Sequence, residues 1–205
     1  MRERGGETRS ERKRRDILKA GQSVFLREGY SGAGMEVVAR EAAVSTATLY
    51  AHFPSKGDLF VAVVESAVAS LASDIEDTLD TTGDARARLM AFSLAYARFY
   101  TDPLSRAVFR LVTGERRRFS ELADHFRSRS RHALGGNAIT LIGQLVEEGQ
   151  LKVEKPAWAA GQLLGMLEHV TLIFGLVAGD EAVPRRPLED ICADAVETFL
   201  ARYRA

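Results

Sequence analysis

Cysteine and proline are both scarce in this chain. Cys192 is the one cysteine among 205 residues, so no internal disulfide can form and no cysteine-based zinc site can be built. Nothing therefore points to an oxidising compartment. The five prolines, Pro54, Pro103, Pro156, Pro184 and Pro187, sit at element boundaries rather than inside an apolar period. Net charge is also absent, with 28 Lys/Arg against 28 Asp/Glu. No stretch sustains period-two alternation, and no internal repeat stands out, which argues against strands and solenoids. The first fifteen residues are charged and lack the apolar core that a signal peptide needs. The run 163–179 approaches membrane-span length but holds Glu168 and His169 at its centre. Burying both in lipid would cost several kcal/mol, so it reads as a buried core helix. The expectation is a soluble, cytoplasmic protein with no membrane partner.

Catalytic signatures are missing as well. The four histidines, His52, His125, His132 and His169, form no HExxH and no Glu-x-x-His pair. There is no G-x-S-x-G, no Walker loop and no Gly-rich dinucleotide turn. We therefore expect no enzyme, no metal and no cofactor.

The charges that are present are unevenly placed. Residues 1–56 carry 11 Lys/Arg and 7 Asp/Glu, while residues 57–205 carry 17 and 21. A basic N-terminal part on an acidic remainder fits contact with a polyanion at one end, and it equally fits a solvated charge run.

The chain reads as helix throughout. Ile17, Ala20, Gly21, Val24 and Phe25 make one apolar stripe over a helix at 10–28, with Gly29 as a left-handed cap. Short helices follow at 35–42 and 45–52, joined by a tight turn in the manner of a helix-turn-helix. A long helix then runs from an N-cap at Ser55 to about residue 79. Further helices are expected at 84–101, 103–116, 119–148, 157–178 and 187–203, with Gly149 capping the third of these and Gly135-Gly136 kinking it. The fold class is all-α: a three-helix head joined to a body of five or six helices.

Residues 37–56, Val-Val-Ala-Arg-Glu-Ala-Ala-Val-Ser-Thr-Ala-Thr-Leu-Tyr-Ala-His-Phe-Pro-Ser-Lys, carry the functional signal. Val38, Ala42, Val44, Leu49 and Phe53 face inward, and Ser45 caps the second short helix. Thr46, Ala47, Thr48, Tyr50, Ala51 and His52 are left on the outer side, followed by Lys56. Hydroxyls, an imidazole and an ammonium on one short helix suit phosphates and base edges. Packing of Tyr50 and His52 beneath the next helix is the alternative.

These residues resemble the TetR family of transcriptional regulators: Gly29-Tyr30, Val38-Ala39, Ala42, Val44-Ser45, Thr48-Leu49-Tyr50, His52-Phe53, Ser55-Lys56 and Leu59-Phe60, in order and spacing over residues 10–60. Phe109-Arg110-Leu111-Val112 with Arg118-Phe119-Ser120-Glu121-Leu122-Ala123 resembles the AefR-like C-terminal subgroup. The resemblance implies a flexible basic arm at 1–9, a DNA-binding domain at 10–56, and an effector-binding and dimerisation domain at 57–205. It implies that Gly34, Ser45, Thr46, Ala47, Thr48, Tyr50, His52 and Lys56 meet operator DNA. Two departures are visible. Ala43 stands where the family usually has Gly, and Ala33-Gly34 where it usually has a hydroxyl, leaving only a backbone N–H at Gly34.

The resemblance also implies a homodimer through the last two helices. Leu163, Leu164, Leu167, Val170, Phe174, Ile191, Val196, Phe199 and Leu200 supply the apolar surface, and Gly161 and Gly165 permit close approach. A pocket for a small hydrophobic or aromatic effector is expected inside the body, lined by Phe92, Tyr96, Phe99, Tyr100, Phe109, Met166 and His169, although each alone also fits ordinary core packing. His169 is the expected polar anchor. The implied protein is a ligand-responsive regulator of a palindromic operator, most simply a repressor. Two rivals stay open: a small-molecule-binding protein with a degenerate head, and an activator or architectural binder without effector. For the arm with Arg2, Arg4, Arg9, Arg12, Lys13, Arg14 and Arg15, DNA-backbone contact and a solvated tail are both open.

Overall fold

The computed structural model describes residues 8–115, 117 and 135–205. Ten α-helices make up the described part. They are α1 Arg9–Gly32, α2 Met35–Glu41, α3 Thr46–His52, α4 Lys56–Asp77, α5 Ala85–Thr101, α6 Pro103–Glu115, α7 Asn137–Glu147, α8 Pro156–Glu168, α9 Phe174–Ala178 and α10 Leu188–Tyr203. A 3-10 turn, Thr78–Asp80, follows α4, and a π turn, His169–Ile173, joins α8 to α9. One antiparallel bridge, Leu151 to Arg204, ties the chain end to the loop after α7; no strand occurs among the described residues. The expected segment 119–134, with His125, His132 and the Arg118–Ala123 motif, lies outside the described residues, as does the arm at 1–7.

Helix starts follow the caps. Thr8 and Glu11 form a reciprocal capping box at α1, with Glu11 N–H donating to Thr8 Oγ1 at 3.2 Å and Thr8 N–H to Glu11 Oε2 at 2.7 Å. Arg9 to Arg15 are thus helical, so the basic cluster is mostly a rigid helix face rather than an arm. Ser45, Ser55 and Asp84 cap α3, α4 and α5 more simply, their side-chain oxygens accepting the N–H of Thr48, Asp58 and Ala87. Gly29 does take the positive φ expected of it, 69°, but its ψ of 174° sends the chain out extended. A further helical turn then reaches Gly32, and Tyr30 swings into the core. Gly149 closes α7 at φ 73°.

The head core is built from Ile17, Val24, Phe25 and Tyr30 of α1, Val38 and Ala39 of α2, Leu49 of α3, Phe53, and Leu59, Phe60 and Val63 of α4. Phe25, Tyr30 and Phe60 make an aromatic cluster with ring centroids 5.1–6.0 Å apart. Gly21 lets α1 lie against α4, since a Cβ there would meet Val63 Cγ2 at 3.1 Å. Val108 and Val112 of α6 enter the same core. A boundary at residue 56 therefore cuts through one packed unit: the first half of α4 and one side of α6 belong to the head.

The body core gathers α5, α7, α8 and α10 around Leu89, Phe92, Tyr96, Leu141, Leu145, Leu163, Leu167, Val196 and Phe199. The segment Pro156–Ala178 is long and apolar enough to cross a bilayer, and it is not buried all round. Leu163, Leu164, Leu167 and Leu172 face the core, whereas Trp158, Ile173, Phe174 and Val177 are exposed. The expectation of a buried core helix holds for one side only, because among the described residues only that side has helices to pack against.

Candidate DNA-reading head and helical body

Ser45 sets the geometry of α3. Its Oγ accepts the Thr48 N–H at 3.1 Å and lies 2.9 Å from the Thr48 hydroxyl. Leu49 is fully buried beneath, and that rotation turns the opposite side outward. Ser45, Thr46, Ala47 and Ala51 are exposed, Tyr50 is 48% exposed, and Thr48 and His52 are half-buried. Tyr50 therefore does not pack under the next helix. The His52 ring leans on Phe53, 6.4 Å between centroids.

Lys56 opens α4 beside this surface. Its Nζ donates to the Ser31 carbonyl at 3.2 Å and stands 4.8 Å from the Tyr30 ring centroid. Arg14 of α1 lies over Phe53 at 5.3 Å, bringing one cation of the basic helix to the end of α3. Arg27 bridges Glu28 and Glu41, each at 2.8 Å, fastening α1 to the end of α2; the two carboxylates hold its pKa above the ordinary guanidinium value.

Both departures have a structural form. Ala43 sits at φ 52° in the α2–α3 turn, the left-handed region that glycine occupies freely. The strain costs about 1 kcal/mol. Gly34 is the N-cap of α2 and offers no side-chain hydrogen bond.

The seven residues expected to line one effector cavity separate into different surroundings. Phe92, Tyr96 and Tyr100 are buried in the body core and stack along α5, with centroids 5.8 and 5.0 Å apart. Phe99 meets Tyr100 edge-on at 4.9 Å and lines a groove with Asp74, Asp77, Arg98 and Asp102. Phe109 packs partly buried against the body core. Met166 and His169 instead line a groove of about 420 Å³ between α8, the π turn and α10, with Val170, Phe174, Ile191 and Ala195. Period gives the apolar side of a helix but not whether that side meets a cavity or a core.

The polar anchor is also corrected. His169 is exposed, and the inward group is its neighbour Glu168, whose Oε1 accepts the Tyr96 hydroxyl at 2.5 Å. Burial above all, then the nearby Tyr100 and Glu168, push the Tyr96 phenol far up; burial and Glu168 push Tyr100 up to about 12. A carboxylate inside an apolar run was the signal for this contact.

The expected pairing residues are redistributed too. Leu163, Leu164, Leu167, Ile191, Val196, Phe199 and Leu200 are buried within the chain itself. The outer side of α8 to α9 carries Trp158, Gly161, Gly165, His169, Ile173 and Val177, all exposed. Apart from the helix's own backbone, a Cβ at Gly161 or Gly165 would meet none of the described residues within 4 Å, so these glycines serve no helix approach among them.

Sequence reasoning missed Arg106. It is fully buried, yet among the described residues no carboxylate binds it; its guanidinium donates to the carbonyls of Tyr100, Thr171, Asp180 and Ala182 at 2.5–3.0 Å. Loss of water lowers its pKa, against the opposing pull of Asp180 and Asp102. An Arg in an apolar helix was its only trace in the sequence.

Known proteins match this arrangement. The model of the bacterial regulatory proteins of the tetR family matches residues 17–63, and that of the AefR-like transcriptional repressor C-terminal domain matches residues 87–205. The transcriptional activator FasR of Mycolicibacterium smegmatis is 41% identical over 96 residues, 47% of this chain and 44% of FasR. The transcriptional repressor NicS of Pseudomonas putida is 28% identical over 150 residues, 70% of this chain and 66% of NicS. The chain thus spans less than two thirds of either relative. A crystal structure described as a TetR-family regulator from Mesorhizobium loti superposes with a TM-score of 0.89 at 28% identity, over 97% of this chain and 100% of that one. The chain belongs to the TetR family of DNA-binding transcriptional regulators, with a C-terminal domain of the AefR-like type.

Proposed function

We propose that the chain is a cytoplasmic, dimeric, ligand-responsive regulator that lays α3 in the major groove of a palindromic operator. The observation that carries this reading is the outward side of α3, polar and capped by Ser45, standing on a fully buried Leu49. Thr46, Ala47, Thr48, Tyr50 and His52 meet base edges and phosphates, while the N-termini at Gly34 and Ser45 and the Lys56 ammonium take the backbone. With alanine at 47 and 51, base contacts are few, so DNA shape carries part of the selectivity.

Two copies pair through the outer side of α8 to α9 and the groove beside α10, placing their heads about 34–36 Å apart. A small hydrophobic or aromatic effector enters the body on the aromatic side of α5, near Phe92, Tyr96, Phe99, Tyr100 and Phe109. Met166 and His169 are assigned to the pairing side instead. Effector binding favours a state with misplaced heads, and linkage makes DNA weaken effector binding equally. Release of a repressed operator is the simplest use. Activation is the second reading, favoured by the 41% identity to a protein named as an activator.

Fluorescence anisotropy on DNA from upstream of the chain's own gene, against scrambled DNA at two salt concentrations, tests the proposal. Preference for the native sequence with a steep salt dependence supports it. No binding to either DNA overturns it. Tyr50→Ala is expected to weaken the specific complex at least tenfold and to leave fold and mass unchanged.

A further inference from the structure

Helix α6 has two opposed sides. At about 100° per residue, Leu104, Val108, Leu111 and Val112 fall together and pack into the head. Arg106 and Arg110 point the other way. Arg110 pairs with the Asp180 carboxylate. Arg106 reaches deeper, through the space left by Gly175, where a Cβ would overlap its Nε and Cζ. It donates to Tyr100 O at 2.8 Å, Thr171 O at 3.0 Å, Asp180 O at 2.8 Å and Ala182 O at 2.5 Å. Those carbonyls belong to the α5–α6 corner, the π turn, and the loop leaving α9.

A guanidinium buried without a carboxylate is held by geometry, and moving any one segment breaks part of the set. The π turn carries the exposed Ile173, and α9, held between the π turn and the bound loop, carries the exposed Phe174 and Val177. We propose that Arg106 is a positioning residue that locks the pairing side of the body to α6, and through α6 to the head, so that head spacing in the dimer rests on one buried side chain. This rests on the dimer reading given above.

The test uses the full chain with Ser23→Cys as a spin-label site on the exposed surface of α1. Cys192 is fully buried and its thiol is pushed up to about 11, so it takes no label. Sedimentation gives the dimer dissociation constant, and electron–electron distances give head spacing. Parent protein should be a dimer with a narrow distance distribution. In Arg106→Met and Gly175→Ala the dissociation constant should rise at least tenfold and the distribution should broaden above it. The double variant should be no worse than either alone, because both break one contact. Arg106→Lys should recover part of the loss. Arg110→Met, on a half-exposed side chain, keeps the fold and should broaden the distances with a smaller change in dissociation; it decides the matter if the buried variants do not fold. Leu89→Ala, a core change away from these contacts, should leave both readouts as in the parent. A monomeric parent overturns the dimer reading and this inference together. A dimeric parent whose folded variants keep affinity and spacing overturns this inference alone.

Discussion

Head and body are held together by different physics. Among the described residues, the buried polar and charged side chains are Arg88, Ser93, Ser105, Arg106 and Thr171, and all five lie on α5, α6 or the π turn. The head core contains none. It is closed by aliphatic and aromatic packing, its cations stay outside, and its polar work is done by caps. A core of that kind keeps its fold under many small changes of shape. The body instead spends hydrogen bonds inside, and such networks favour particular arrangements over merely compact ones. The module that carries the helix-turn-helix is a plain packed unit; the body carries the directional bonds.

Four measurements press on that contrast. The largest effect belongs to Leu49→Ala, which removes a fully buried side chain from the head at about 2–5 kcal/mol. Helix α3 should loosen and DNA binding should vanish while the body keeps its helicity. Calorimetry showing one undivided transition, shifted as a whole, would mean that the two regions are not separate in stability.

Next is Tyr96→Phe, which withdraws the hydroxyl from Glu168. It should cost about 1–3 kcal/mol, because a half-buried carboxylate loses its donor. A smaller loss in denaturant titration would show that water replaces the phenol.

The same phenols make a pH prediction. The folded state raises Tyr100 from the ordinary 10 to about 12, with Tyr96 raised further. Raised phenol values mean that their contribution is complete below pH 10 and is lost as the pH climbs through about 12. Ultraviolet absorbance should show Tyr96 and Tyr100 ionising only together with loss of near-ultraviolet dichroism. Ionisation of these two phenols near pH 10 without unfolding would contradict the buried assignment.

The smallest effect is a gain. Ala43→Gly relieves a non-glycine φ of 52° and should stabilise the head by about 1 kcal/mol, read as a rise in its melting temperature. No gain would mean that the lost chain entropy cancels the relieved strain.

The same contrast explains what the sequence disclosed. Ser45, Leu49, Tyr50 and Ser55 are neighbours in the chain, and caps with helical period place each on its side without any knowledge of the rest. The glycine-to-alanine departure at 43 could be read as strain for the same reason. In the body, Tyr96 and Glu168 are 72 residues apart, and Arg106 spans 65 to Thr171 and 76 to Ala182. No local pattern encodes such contacts. The aromatic stripe on α5 was legible as a stripe, but what it faces depends on α7, α8 and α10. Likewise the leucines of α8 were legible as apolar, and only the packed chain separates those it keeps from those it leaves outside.

The π turn at His169–Ile173 has a consequence for insertions and deletions. In an unbroken α-helix the line from Trp158 through Gly165 would drift round the axis, and Ile173 and Val177 would leave it. One wide turn delays the helix by about one residue, some 100°, and returns them to line. Turning 169–173 into regular α-helix without losing a residue would swing Ile173 and Val177 aside, whereas removing a single residue there would keep both in line, because the missing residue cancels the missing pause. The outer stripe of this helix is therefore punctuated: its second half is in phase with its first only because of a one-residue pause.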